Sequence, residues 1–130
     1  MRLFQGLDIV YIPKFKDVAD RNTRLVTDIF TEKERIACMQ LARPYVSLAG
    51  RFAAKEAMLK AIGIGFTTTG VFQDIEVSNQ PSGKPTLTLR GWIKTLIRRR
   101  NIKEVTVSIS HSADYAAATV ILLSTDNPLE

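Results

Sequence analysis

The chain of 130 residues has one cysteine, Cys38, one histidine, His111, and no apolar run approaching the ~20 residues that a membrane-spanning helix needs. A lone cysteine excludes an intrachain disulfide, and its place in a helix-patterned run makes it a structural thiol rather than a nucleophile. Met1-Arg2-Leu3 leads straight into a strand-like run containing Asp8, without the charged and then apolar regions of a secretory leader, and the longest apolar run, Tyr115 to Leu123, is short. The expectation is a soluble protein of a reducing, cytoplasmic compartment, with no membrane partner. Internal repeats and low-complexity segments are also missing, so residues 1–130 read as a single domain. There is no RNP aromatic ladder, zinc-finger spacing or GxxG loop, so no nucleic-acid partner is expected and nucleic-acid binding stays a minor alternative.

What is present begins with charge. A net +5 and an isoelectric point near 9.6 favour an anionic partner. The basic residues are dispersed, and the one dense block, Arg98-Arg99-Arg100, follows Trp92, Ile93, Leu96 and Ile97, where cations complement the C-terminal end of a helix.

Periodicity supplies the elements. Leu3 to Ile12 reads as a strand, apolar on both faces, with Asp8 sharing a face with Phe4, Val10 and Ile12. The charged segment Lys14 to Asp28 reads as a short helix or ordered loop. Thr31 and Glu34 form a capping box that starts a helix ending before Pro44, and a second helix runs from Tyr45 to Ile62, stopping at Gly63. Val71 to Val77 and Thr86 to Leu89 alternate as a hairpin around a turn-rich loop; Gly91 to about Arg100 is a helix; Val105 to Ser110 and Tyr115 to Leu123 are strands; and Ser124 to Glu130 reads as a frayed tail. Helices segregated from a mostly antiparallel sheet make the fold class α+β.

Within the long helix, Glu56 lies over Ala49, Phe52, Ala53 and Leu59, with Lys60 one turn on. Two readings fit: a solvated Glu56/Lys60 pair, or a carboxylate that needs a stronger partner such as a metal ion. Asp8, in a strand with little access to water, adds a second isolated carboxylate, and two such groups can share a hard divalent cation; the alternative is a strand-end aspartate that caps a turn.

Gly6-Leu7-Asp8-Ile9-Val10, Gly50 to Ala61 with Gly63 and Gly65, Asp74 to Val77, Gly83-Lys84-Pro85, and Ser108 to Ser112 followed by Tyr115 to Leu122 together resemble the holo-acyl-carrier-protein synthase family, the small 4'-phosphopantetheinyl transferases. The resemblance implies a sheet packed against the long helix, a homotrimer with active sites between subunits, and transfer of 4'-phosphopantetheine from coenzyme A to a serine of an acidic apo acyl carrier protein in fatty acid biosynthesis. It implies Mg2+ held by Asp8 and Glu56, with Glu56 and Lys60 as catalytic residues. For coenzyme A it implies contacts from Arg51, Lys60, Gly63, Gly65, Gly83, Lys84, Pro85, Ser110 and His111, the Ser110-His111 pair reaching over from a neighbouring subunit. Lys14, Arg21 and Arg24 are the implied carrier-docking residues. One departure stands out: relatives carry an arginine three residues before the capping threonine, where this chain has Asp28.

Without the resemblance, Arg51 reads equally as a surface arginine, Lys84 as a solvated lysine in a hairpin loop, and His111 as a strand-end imidazole satisfied by backbone.

Overall fold

A computed structural model describes residues 1–64 and 69–126. The elements run β1 (Arg2–Tyr11), α1 (Ile12–Arg21), α2 (Thr23–Ile29), α3 (Glu32–Met39), α4 (Pro44–Ala61), a 3-10 helix (Thr69–Asp74), β2 (Ile75–Asn79), β3 (Pro85–Leu89), α5 (Gly91–Arg99), β4 (Ile102–Ser112) and β5 (Tyr115–Ser124). Among the described residues all strand pairing is antiparallel, in a three-stranded sheet of order β1-β5-β4 and a two-stranded sheet of β2 and β3. The α+β class expected from the pattern is what forms.

α4 packs across the inner face of the larger sheet. Alanines make this approach possible: Ala49, Ala53, Ala54 and Ala57 on α4 share one core with Ala116 and Ala118 on β5, and Leu48, Met58, Val120 and Leu122 fill around them. Contact is closest at Gly6, where an added Cβ would lie 1.8 Å from the Ala57 carbonyl oxygen and 2.7 Å from the Ala61 nitrogen. Those atoms are helix backbone and cannot swing away. Gly6→Ala should therefore cost ~3 kcal/mol, the upper end for overpacking a core, and part β1 from α4. Urea denaturation measures it, and a cost under ~1 kcal/mol would show that the helix slides without penalty.

Several expectations need correction. Ile12 belongs to α1, because Pro13 has no N–H for a sheet ladder and instead occupies the first turn of a helix. Residues 71–74 complete a 3-10 helix, and strand begins only at Ile75. Lys14 to Asp28 is two helices, the second capped by Asn22, whose side chain accepts from the Leu25 amide. Ser124 is no tail residue: it closes β5, buried, and donates to the Arg100 carbonyl at 2.7 Å. β1 is not buried on both faces in the single chain, since Leu3, Leu7 and Ile9 are 69%, 64% and 65% exposed. Gly65 and residues 127–130 lie outside the described residues.

The fully buried charge on α4 is Lys55, not Glu56. Lys55 is fully buried, and its ammonium donates to Glu34 Oε1 (2.7 Å) and to the carbonyls of Ile29 (3.0 Å), Phe72 (2.8 Å) and Ile75 (2.7 Å). Three hydrogens thus serve four acceptors drawn from α2, α3, the 3-10 helix and β2. Glu34 also accepts from the Thr31 amide as part of the capping box and from the Val77 amide at 2.9 Å. Burial pushes the Lys55 ammonium down and Glu34 pulls it back up. Arg100 extends the reading of the basic block: its guanidinium donates to the Ile62 carbonyl, so it caps the end of α4 while Arg98 and Arg99 sit in the last turn of α5.

Candidate functional site

Two cavities of about 470 Å³ each lie along α4, and together they collect most of the residues singled out above.

The first cavity is built where β1 crosses α4. Period-two alternation turns Asp8 inward from β1, and Glu56 and Lys60, one helical turn apart, face it from α4. Lys60 Nζ donates to Asp8 Oδ1 at 2.9 Å and to the Leu7 carbonyl at 3.2 Å. This corrects the local pairing read from sequence: the lysine answers Asp8 across the fold rather than Glu56 along the helix. Glu56, half-buried, has no hydrogen-bond partner for its carboxylate among the described residues. Burial raises its proton affinity most, the Asp8 carboxylate raises it further, and Lys60 opposes both. The rest of the wall is apolar, from Val10, Phe15, Leu25, Ile29 and Phe52, with Lys14 at the rim.

Two carboxylates that repel each other in a half-buried cavity, one of them unpartnered, suit a hard divalent cation. Among the described residues no cluster of three or more His, Cys, Asp or Glu side chains exists, so a cation here would take only part of its coordination from the protein and the remainder from water or phosphate oxygens.

The second cavity lies at the N-terminal end of α4. Arg43, Ser47, Gly50 and Arg51 line it from or beside the first turns of the helix, Gly83 and Pro85 from the β2–β3 turn, and Ser110 and His111 from β4. Its charged side chains are cationic, and with the positive end of the helix dipole they make it suited to an anion. Arg51 is not a surface residue. It is 6% exposed and donates from Nη1 to the Val77 carbonyl at 2.7 Å, which fixes the guanidinium in the wall. Cys38 is fully buried behind this wall, 3.2 Å from Ser47 Oγ, and burial pushes its thiol up, as a structural cysteine requires.

The remaining residues lie outside both. Lys84 is exposed beside the second cavity without lining it; Gly63 sits at φ +80° just past α4, which helix termination explains. Arg21 and Arg24 are on the outer surface of α1 and α2, each within reach of an aspartate four residues away. Sequence reasoning missed Arg43, whose signal was its place immediately before Pro44 at a helix start. It also missed Phe15 and Leu25, the apolar wall hidden in a segment that looked merely charged.

A sequence model of the 4'-phosphopantetheinyl transferase superfamily matches residues 5–120. Among curated proteins, the holo-[acyl-carrier-protein] synthase of Caldanaerobacter subterraneus subsp. tengcongensis is 36% identical over 127 residues, 98% of this chain and 99% of that one. The protein of the same name from Geobacter metallireducens is 42% identical over 118 residues, 90% of this chain and 94% of that one. Among solved structures, the Chronobacterium ammoniagenes ACPS-CoA complex matches with a TM-score of 0.84 at 30% identity, covering 97% of this chain and all of that one. The Bacillus anthracis holo-(acyl-carrier-protein) synthase in complex with CoA (3',5'-ADP) matches with a TM-score of 0.77 at 36% identity, covering 94% and 96%.

Proposed function

Because the chain belongs to the holo-[acyl-carrier-protein] synthase family of 4'-phosphopantetheinyl transferases, we propose that residues 1–130 form one domain that transfers 4'-phosphopantetheine from coenzyme A to a serine of an apo acyl carrier protein. The observation that carries this reading is the convergence of Asp8, Glu56 and Lys60 in one cavity from elements far apart in sequence. The serine oxygen forms a bond to the phosphorus that bears pantetheine, the pyrophosphate P–O bond breaks, and adenosine 3',5'-bisphosphate leaves with the electron pair.

Asp8 and Glu56 are the residues that would hold Mg2+. When bound, the ion would neutralise charge on the pyrophosphate oxygens. Lys60 supplies a further cation at the same phosphates, and Glu56, which faces the same cavity, is the residue to receive the serine proton, through a water. In the second cavity Arg51, Ser110 and His111 provide donors for the nucleotide's phosphates, and Gly83 and Pro85 a bed for its base, with Lys84 nearby. Gly63, just past α4, and Gly65, outside the described residues, complete the proposed coenzyme A contacts. The cytoplasm and fatty acid biosynthesis are the setting that this activity implies. The test is direct: incubate the chain with coenzyme A, Mg2+ and an apo carrier, then weigh the carrier. A gain of one phosphopantetheine group is expected, and an unchanged mass with carriers of several types would overturn the reading.

The same reading includes a homotrimer. On the outer face of the larger sheet, Leu3, Leu7, Ile9 and Tyr11 of β1 stand exposed beside Tyr115 and Ile121 of β5, an apolar surface of the kind that marks an interaction site. Under this reading neighbouring copies cover that surface, and the active sites lie between subunits. Light scattering should give three times the chain mass, and Leu7→Glu with Ile9→Lys should yield monomers that have lost activity. Full turnover by a monomer would exclude a shared site.

A further inference from the structure

The acceptor serine has to reach Glu56 and Lys60, and the mouth of their cavity is bordered by Lys14 and Val18 of α1 and Leu25 of α2. Under the transferase reading, on which the inference rests, a carrier protein therefore lies across α1 and α2. That face is nearly neutral. Between Ile12 and Ile29 the cations Lys14, Lys16, Arg21 and Arg24 stand against the anions Asp17, Asp20 and Asp28, a net +1 out of the chain's +5. Three of the four cations also have an anion of their own. Lys16 pairs with Asp20 at 2.8 Å, and Asp20 is further held by the Tyr45 hydroxyl at 2.6 Å. Arg21 lies 3.3 Å from Asp17, and Arg24 lies 3.9 Å from Asp28. Lys14 is the one cation of this face without an ion-pair partner among the described residues, while Val18 and Leu25 present apolar surface between the pairs.

We propose that Asp17 and Asp28 are specificity-determining residues for the acceptor: by occupying Arg21 and Arg24 within the chain, they set this face against a uniformly acidic carrier helix and in favour of a carrier whose helix presents apolar side chains flanked by charges of both signs. An acidic helix meets arginines whose charge is already offset and sits beside the carboxylates of Asp17 and Asp28. A helix that carries a lysine or arginine opposite either aspartate meets no such opposition and adds a pair of its own. Charge complementarity at the rim of an interface acts mainly on encounter and register, so the discrimination falls on the carrier's KM.

The experiment is a set of carrier-saturation curves for the unmodified chain and for Asp17→Asn/Asp28→Asn, against a strongly acidic apo carrier and against the same carrier with one docking-helix carboxylate changed to lysine. The double variant should lower the KM for the acidic carrier roughly five-fold at low ionic strength, about 1 kcal/mol at 1.4 kcal/mol per tenfold. It should raise the KM for the lysine-bearing carrier, and leave kcat and the KM for coenzyme A unmoved. The difference should fade at ~1 M salt, where the Debye length is ~3 Å. Turnover with carrier KM values indifferent to both substitutions, or shifted alike for the two carriers, overturns this inference alone. Failure of the unmodified chain to modify either carrier overturns the transferase reading with it.

Discussion

Glu56→Gln should reduce phosphopantetheine transfer on the order of 10²–10³-fold, the loss expected on removing one pre-organised electrostatic group from a site of developing charge. The fold should survive, and in the metal-free protein it should be firmer. Proton linkage sets that sign. Burial and the neighbouring Asp8 carboxylate raise the Glu56 pKa in the native state above its unfolded value, so between those two values the native chain binds more proton there than the unfolded chain does. Stability from this group is complete below the ordinary carboxyl range and is lost as pH rises through the raised value. Glutamine cannot ionise. The Tm difference between Glu56→Gln and the unmodified chain, measured with chelator, should therefore be near zero at about pH 4 and favour the variant at about pH 8. Divalent cation should reverse that order by stabilising only the chain that retains the carboxylate pair. If Glu56→Gln kept near-normal turnover at limiting Mg2+, the two carboxylates would not share an ion.

Lys55→Met carries the largest stability change expected in the molecule. Removing the ammonium leaves Glu34 Oε1 and three carbonyls facing a thioether in a fully buried space, and breaking one side of a buried pair costs ~3–5 kcal/mol. Glu34→Gln, which keeps a hydrogen-bonding head, should cost less. The double variant should cost less than the sum, because the charge that each single substitution strands is removed by the other. Urea denaturation of the three variants measures this. A loss under ~1 kcal/mol for Lys55→Met would mean that water or a shifted backbone satisfies the cage. Lys55 and Glu56 are adjacent on α4, so the cage that holds one face of the helix also fixes the rotation at which the other presents its carboxylate to Asp8.

The long helix, the capping box, the β2–β3 hairpin and the two last strands were legible because each is a local pattern with a period or a cap. Asp8 and Glu56 were legible as carboxylates in apolar company, and the cavity wall supplies that company. Lys55 was not seen, although Leu48, Arg51, Lys55, Met58 and Ile62 follow one another at three- and four-residue steps along α4. A lysine in such a stripe reads as a snorkelling surface residue until its acceptors are known, and they arrive from four segments 17 to 26 residues away. The partner of Lys60 was missed for a similar reason. Spacing along a helix suggested Glu56, whereas Asp8 is brought to it by a strand 52 residues earlier. The outer face of β1 misled in the opposite sense, since apolar character marks a surface to be covered without saying whether the chain itself covers it.

β1 and its neighbour in the sheet, β5, are far apart in sequence, with Asp8 opposite Ala118. During synthesis β1 must wait, its ladder groups unpaired, until residues 115–124 emerge and close the sheet. Such non-local pairing makes for slow folding and a period of exposure to wrong partners. The carboxylate at position 8 has no fixed place until that closure, so a ribosome-bound chain lacking β5 has not yet set Asp8 against Glu56 and Lys60. Catalytic competence should then appear in a single step once β5 has paired rather than accumulate as the helices form.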